Sequence, residues 1–425
     1  MTKINTSLVS TLAIACVLSP LSMATADDSN VEKLTNQPAL TAVKVDDDSK
    51  SSIIKKWGPA PTFKSGDGNF EMKPRGRIYF DAGWLSDKNG TMDISGTEFR
   101  TARMGVEGKA WSNIKYKFEA DFAGDDVEVK DAYITYVGKG VSVNLGQHKV
   151  ANSLEESTSS RYTTLMERAS FTDAFSFARR IGVSAVTGGD DWTATVGVFK
   201  GDNASTSDHD GTEFAGRFTY GPKMGDTQLH FGASTRYRKA GADQSGFRYR
   251  QRPHNHLSDR FVNTGALGKK DTLIAAEFAA VNGPLSFQAE YATLTNDMDT
   301  VGVDNPTFRG AYGEVSYFFT GGHRVYNAKK GTFDRNKVTE PFSNGGSGAW
   351  QLTGRYDMLE LNDAVTAGGV QKTVIVGVNW YLNPYMRVMA NYSNAKIKSS
   401  YNVAANGITG ANTVNAFGLR AQIDW

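Results

Sequence analysis

The last nine residues alternate without interruption: Phe417, Leu419, Ala421, Ile423 and Trp425 are interleaved with Gly418, Arg420, Gln422 and Asp424. A period of two marks a β-strand with one apolar and one polar face, so the chain ends inside a strand, on an aromatic residue. The pattern recurs upstream, where Lys115, Lys117, Glu119 and Asp121 interleave with Tyr116, Phe118, Ala120 and Phe122. Such a strand is wet on one side and greasy on the other. In a soluble sandwich the greasy side faces a second sheet. In a membrane barrel it faces lipid, and the ionised side faces a water-filled lumen.

Segments of about ten alternating residues begin near Arg77, Phe99, Lys115, Lys130, Val141, Ile181, Trp192, Thr212, Thr227, Thr272, Leu285, Phe308, Ala349, Thr373, Tyr385 and Val414, sixteen in all. An even number returns both ends of a barrel to the same side of the membrane. The connections alternate in length as well. Ser112-Asn113, Lys139-Gly140, Gly188-Gly189-Asp190, Pro222 to Asp226, Asn282-Gly283-Pro284 and Asn383-Pro384 are tight turns rich in residues that tolerate or fix bends. Between them lie longer connections, of which 149–179 and 237–270 are the longest. Thr320 to Ser347 breaks the rule, because its parity assigns it to the short-turn side yet it runs to nearly thirty residues. The fold expected is all-β: a sixteen-stranded antiparallel transmembrane barrel with short periplasmic turns and long external loops.

Composition excludes the competing classes. A hydrophobic fraction of 40% over 425 residues leaves no room for a bundle of helices that each need ~20 consecutive apolar residues. Aromatic residues at 11% and a net charge of +2 argue against a disordered chain, and that small charge gives no overall basic field for nucleic acid. Residues 1–26 read as a secretory signal, with Lys3, an apolar run from Leu8 to Met23, and Ala24-Thr25-Ala26 ahead of Asp27. The only cysteine, Cys16, falls within it, so no disulfide or thiolate site is expected in the exported chain. A lipoprotein cleavage site at Cys16 is disfavoured because the apolar run continues past it. Residues 27–70 form a polar leader, read as dangling or forming a short helix, and 71–425 the barrel. Export, the absence of cross-links and the terminal aromatic together place the chain in a bacterial outer membrane, in contact with lipid and lipopolysaccharide.

Two loops carry the most purposeful charge. In 237–270, eight Lys and Arg residues face only Asp243 and Asp259, and Arg248, Arg250 and Arg252 alternate along one side of an extended segment. Guanidinium forks match oxyanions in pairs, so this row is either a graded path for an anion or an exposed basic loop resting on lipopolysaccharide phosphates. Loop 149–179 is long enough to fold inward and narrow the lumen, but its charges are mixed, with Lys149, Arg161, Arg168 and Arg179 opposed by Glu155, Glu156, Glu167 and Asp173. His254 and His256 alternate, yet two imidazoles without an acidic cluster are weak as a metal site. No Gly-x-Ser-x-Gly elbow, His-Glu-x-x-His or phosphate loop occurs, so neither an enzymatic step nor a cofactor is expected.

Over about residues 57–425 the chain resembles the phosphate-selective and polyphosphate-selective porins of Gram-negative outer membranes. The resemblance is carried by Gly76-Arg77-Ile78 with Asp81, Phe99-Arg100, Lys115-Tyr116, Leu154-Glu155 with Thr158-Ser159-Ser160-Arg161 and Glu167-Arg168, Arg250-Gln251-Arg252-Pro253, and Gly377-Val378-Asn379-Trp380-Tyr381. It implies a homotrimeric channel, an arginine ladder leading to a constriction, and a lysine-rich anion site made partly by the third loop. Three positions depart from the family pattern: Trp84 stands where phosphate-selective members have arginine, Arg100-Thr101 where they have paired arginines, and Glu156 where the central site has lysine. A carboxylate at a constriction is expected to repel phosphate. Lys115, Lys117, Arg100, Arg103 and Arg161, with Arg248, Arg250 and Arg252, are the residues expected to keep the pore anion-preferring; Arg103 is included because it shares a strand face with Thr101 and Glu107. The alternatives are a general porin with little charge selectivity or, from another class, a barrel adhesin or hydrolase.

Overall fold

The computed structural model describes residues 53–56, 59–88, 90, 92–200, 211–363, 366–403 and 408–425. The stretch 1–26, expected as a secretory signal, and the first part of the expected leader lie outside the described residues. What is described of the leader is not helical: Ile53–Lys56 and Thr62–Lys64 pair with each other, and the second of them pairs with the first barrel strand through Phe63 and Met72.

Sixteen antiparallel strands follow. They are β1 (Phe70–Asp87), β2 (Asp93–Ala110), β3 (Ile114–Asp121), β4 (Glu128–Val137), β5 (Val141–Lys149), β6 (Arg179–Gly188), β7 (Trp192–Lys200) and β8 (Thr212–Tyr220). The second half comprises β9 (Thr227–Lys239), β10 (Lys270–Asn282), β11 (Leu285–Asp297), β12 (Thr307–Phe318), β13 (Ala349–Asp363), β14 (Thr366–Asn383), β15 (Met386–Val403) and β16 (Ile408–Asp424). Each strand pairs with the next, and β16 closes on β1 through Phe417 opposite Trp84 and Ile423 opposite Ile78. The seam is completed where Gly76 and Trp425 exchange backbone hydrogen bonds of 3.1 Å each. Among the described residues, closure leaves the sixteen-stranded wall without a free edge, as a lipid environment without hydrogen-bonding partners demands.

Alternation sorts the faces as expected. On β1, Ile78, Phe80 and Trp84 are exposed on the outside while Arg77, Tyr79 and Asp81 are buried inside. Several strands start earlier than the pattern suggested, β1 at Phe70 rather than Arg77 and β14 at Thr366 rather than Thr373. The wall is uneven. Strands β3 to β8 have 8 to 10 residues, whereas β14 and β15 each have 18.

The tall side of the barrel is filled from three directions. Residues 150–178, the third long connection, turn inward and carry two short helices, α1 (Leu154–Ser157) and α2 (Ser170–Ala174). The 237–270 connection also enters the barrel mouth, as a hairpin of Arg248–Gln251 with Val262–Ala266. Its Tyr249 and Phe261 are fully buried against Phe171 and Phe175 of the third loop and Phe308 of β12. Thr320 to Ser347, which had no account from pattern, supplies the third element: Gly322–Asn327 pairs with Thr332–Val338. This hairpin reaches in from the end that carries the C-terminus. Its Arg324 donates to Gln288 Oε1 of β11 at 2.7 Å, and Tyr326 meets His230 of β9 at 2.5 Å.

Candidate functional site: the constriction

The third loop is pinned to one wall by side chains that satisfy its backbone. Ser153, held at a φ of 62°, caps α1 by accepting the Glu156 N–H at 3.1 Å. The Glu290 carboxylate of β11 accepts the N–H groups of Leu154 and Glu155 at 2.9 and 2.8 Å. Further along, Asp357 accepts Ser170 N–H at 3.0 Å, Asn391 accepts Met166 N–H at 2.8 Å, and Arg420 and Asn379 donate to the Met166 and Thr164 carbonyls, each at 2.8 Å. Glu155 turns away from the pore to Arg355 of β13. Apart from the Ser153 cap, these partners lie on β11 to β16. A buried backbone group without a partner is costly, so this set of bonds holds the loop against the tall wall and leaves the space beside β1 to β6 open.

That space consists of two cavities, an outer one of about 260 Å³ and an inner one of about 750 Å³, both lined by Arg103, Ser160 and Arg168. The shared residues mark the narrow junction. The inner cavity is lined by thirteen Lys and Arg side chains against the carboxylates of Glu107, Asp131 and Asp334, so its wall is far more positive than the chain as a whole. Two buried acids hold these cations in place. Glu119, with no exposed surface, receives Arg75, Arg77 and Arg103 at 3.0, 2.9 and 3.4 Å. Asp131, 4% exposed, bridges Lys117 at 2.5 Å and Arg179 at 2.8 Å, both of them 18% exposed.

The expected site residues are only partly brought together. Lys117, Arg103 and Arg161 line the inner cavity, and Arg100, Arg103, Glu156 and Arg252 the outer one. Strict alternation could not place both Arg100 and Arg103 inside. A bulge opposite Tyr79 and Phe80 does so, making Arg100 and Thr101 consecutive lumen residues. Arg100 forms a bidentate pair with Glu167, both contacts at 3.2 Å. Arg161 is buried 3.6 Å from Asp424. Arg248 and Arg250 alternate with the buried Tyr249 and Gln251 along their short strand, and Arg252 follows just beyond its end. Only Arg252 reaches a cavity. Arg248 and Arg250 are exposed on the outer hairpin, and Lys115 is exposed at the opposite end of the barrel, lining neither cavity.

Pattern alone misses Arg75 as a pore residue, and it gives Lys149, Arg168 and Arg179 only as part of the third loop's mixed charge, not as the inner-cavity cations they are. Arg75 could have been found by carrying the β1 alternation back from Arg77. Glu156 does not stand as an unopposed negative charge. Its Oε1 lies 3.1 Å from Lys149 Nζ and its Oε2 3.2 Å from Arg168 Nε. Burial disfavours its charge, but Arg168 and Lys149 outweigh burial and hold the carboxyl below the usual range. His254 and His256 diverge: the first contacts Ser170 Oγ at 3.0 Å and Asp357 at 3.4 Å, the second Glu98 at 2.8 Å. Among the described residues no three His, Cys, Asp or Glu side chains converge as a metal site.

A family profile described as phosphate-selective porin O and P matches residues 72–425. The chain belongs to that family. Porin O of Pseudomonas aeruginosa is 27% identical over 380 residues, covering 78% of this porin and 84% of the relative. An uncharacterized protein of Caulobacter vibrioides is 36% identical over 352 residues, 79% of this chain and 70% of that one. Among solved structures, the anion-selective porin from Comamonas acidovorans superposes with a TM-score of 0.55 at 14% identity, over 83% of this chain and 100% of that one. At that identity the likeness shows a shared fold. Family and fold locate this porin in the bacterial outer membrane and are those of a channel rather than an enzyme.

Proposed function

We propose that this porin is a homotrimeric diffusion channel for small hydrophilic solutes that favours anions, phosphate or polyphosphate among them. The observation that carries the reading is the inner cavity, where thirteen cationic side chains face three carboxylates. A narrow cleft of one sign, walled by low-dielectric protein, focuses its field on the solute path and raises the local concentration of counter-ions. Glu119, which is absent from the cavity lining, sits behind that layer and orients Arg75, Arg77 and Arg103 without presenting a negative surface. The low wall supports assembly. A spanning strand needs about 9–11 residues; β4 to β8 meet that length with no excess and β3, with 8 residues, falls just short of it, so this side gains most from being covered by other copies. Lipid and lipopolysaccharide then surround the rest.

Glu156, Glu167 and Asp173 in the outer cavity favour the second reading, a general porin with little charge preference. The reversal potential of purified protein in planar bilayers under a KCl gradient separates the two. An anion-directed potential is expected, with channels inserting in steps of three, and replacing Arg103 and Arg179 together by Ala should cut the anion preference severalfold. A potential near zero or directed toward cations would refute the anion reading and leave the barrel a general porin.

A further inference from the structure

We infer that the Glu156 carboxylate is a tethered anion: it occupies the cation pair formed by Lys149 and Arg168 at the pore junction and keeps the affinity of that pair for passing oxyanions low. The inference rests on the anion-channel reading and concerns how strongly the channel holds what it conducts. Arg168 lines both cavities, Lys149 the inner one and Glu156 the outer one, so the three side chains straddle the narrow point. The two carboxylate oxygens are divided between the two cations, at 3.1 and 3.2 Å. This is the arrangement two oxygens of a phosphate or another small oxyanion would adopt there.

The cations do not depend on the carboxylate for their positions. Arg168 also donates to the backbone carbonyls of Glu155 at 3.1 Å and Thr158 at 2.9 Å. Lys149 donates to the carbonyl of Glu156 and approaches that of Thr158 at 3.5 Å. Those carbonyls belong to the segment around α1, whose start is fixed by Glu290. Neutralising Glu156 therefore leaves a pre-organised cradle for an anion rather than a collapsed loop. With the carboxylate in place, an incoming oxyanion competes against a ligand whose effective concentration is of the order of millimolar or higher, as for any short tether. It exchanges through the junction without being trapped. The charge of Glu156 is thus not a plain repulsive barrier, because it is already balanced by the pair it fills.

The test is single-channel current through the trimer, with inorganic phosphate titrated against a fixed KCl background, for wild type, Glu156→Gln and the double variant Glu156→Gln with Arg168→Gln. Glu156→Gln should lower the half-blocking phosphate concentration by about tenfold or more, and the double variant should lose that gain. Glu156→Asp, which keeps the charge but shortens its reach, should shift the block in the same direction by less, and it serves if the Gln variant does not give heat-modifiable trimers. An anion-leaning pore whose phosphate block is unchanged or weakened in these variants would overturn the inference. A cation-leaning wild-type reversal potential is a separate result, since it removes the channel reading itself.

Discussion

At the residue scale, the pore is built from carboxylates that serve cations. Glu119 alone meets three arginines, Arg75, Arg77 and Arg103, with no exposed surface of its own. Deleting one partner of a buried ionic cluster leaves the others uncompensated and typically costs about 3–5 kcal/mol. Glu119→Gln should therefore lower the temperature at which the folded, heat-modifiable form is lost in gel migration, whereas Lys115→Gln, at an exposed position, should not move it. Glu167 gives a pH signature. Burial alone would raise its pKa, but Arg100 and Arg420 reverse that and hold it at about 2. A carboxyl depressed in the folded protein adds stability that is full above its ordinary pKa and is lost as pH falls toward the folded value. Thermal stability should accordingly be flat from about pH 8 to 5 in this respect and decline between about pH 4 and 2, and Glu167→Gln should abolish the decline attributable to it. Which cations exist was legible in the sequence; which ones meet was not. Glu156 finds Lys149 and Arg168, seven and twelve residues away, only because the loop bends back on itself, and Arg100 faces inward only because of a bulge that no alternation rule contains.

At the scale of elements, the strands were legible because lipid and water impose opposite demands on successive residues, and sixteen segments obey them. The inward elements were not. In the 322–338 hairpin both faces contact protein inside the lumen: Arg324 lies over Phe333 at 3.4 Å and beside Gln288, and Arg217 donates to the Gly331 carbonyl at 2.8 Å. With no lipid on either side, its residues carry no period-two signal. The same holds for the leader segment Thr62–Lys64, too short to show a pattern. A prediction belongs to this hairpin. It touches the third loop through Phe333 N–H and Thr158 Oγ, at 3.2 Å, while that loop keeps its ties to Glu290, Asp357 and Asn391 on the wall. Replacing residues 322–338 by a short Gly-Ser turn should therefore widen the inner cavity and raise single-channel conductance, with more current noise, while the sign of the reversal potential stays the same. Unchanged conductance would mean that the hairpin lies outside the conducting path.

For the whole molecule, the relevant quantity is how charge is distributed rather than how much there is. The chain carries a net charge of +2, yet its inner cavity concentrates thirteen cations against three acids. Two length scales follow from that segregation. The field proposed to gather anions acts through water in the cavity and is screened over about 10 Å at 0.1 M salt and about 3 Å at 1 M. The contacts at the junction, where Arg103 and Arg168 line both cavities, are short enough to escape most of that screening. Anion preference should thus have two parts, one lost with salt and one retained. Measured at a constant gradient ratio, the anion-to-cation permeability ratio should fall severalfold from 0.1 M to 1 M KCl but remain above one. Neutralising the cavity residues Lys73 and Lys330, which lie away from the junction, should remove mainly the salt-sensitive part, whereas Arg103→Ala should reduce the ratio even at 1 M. A ratio independent of salt would locate the selectivity entirely at the junction and leave the basic cavity without a role in it.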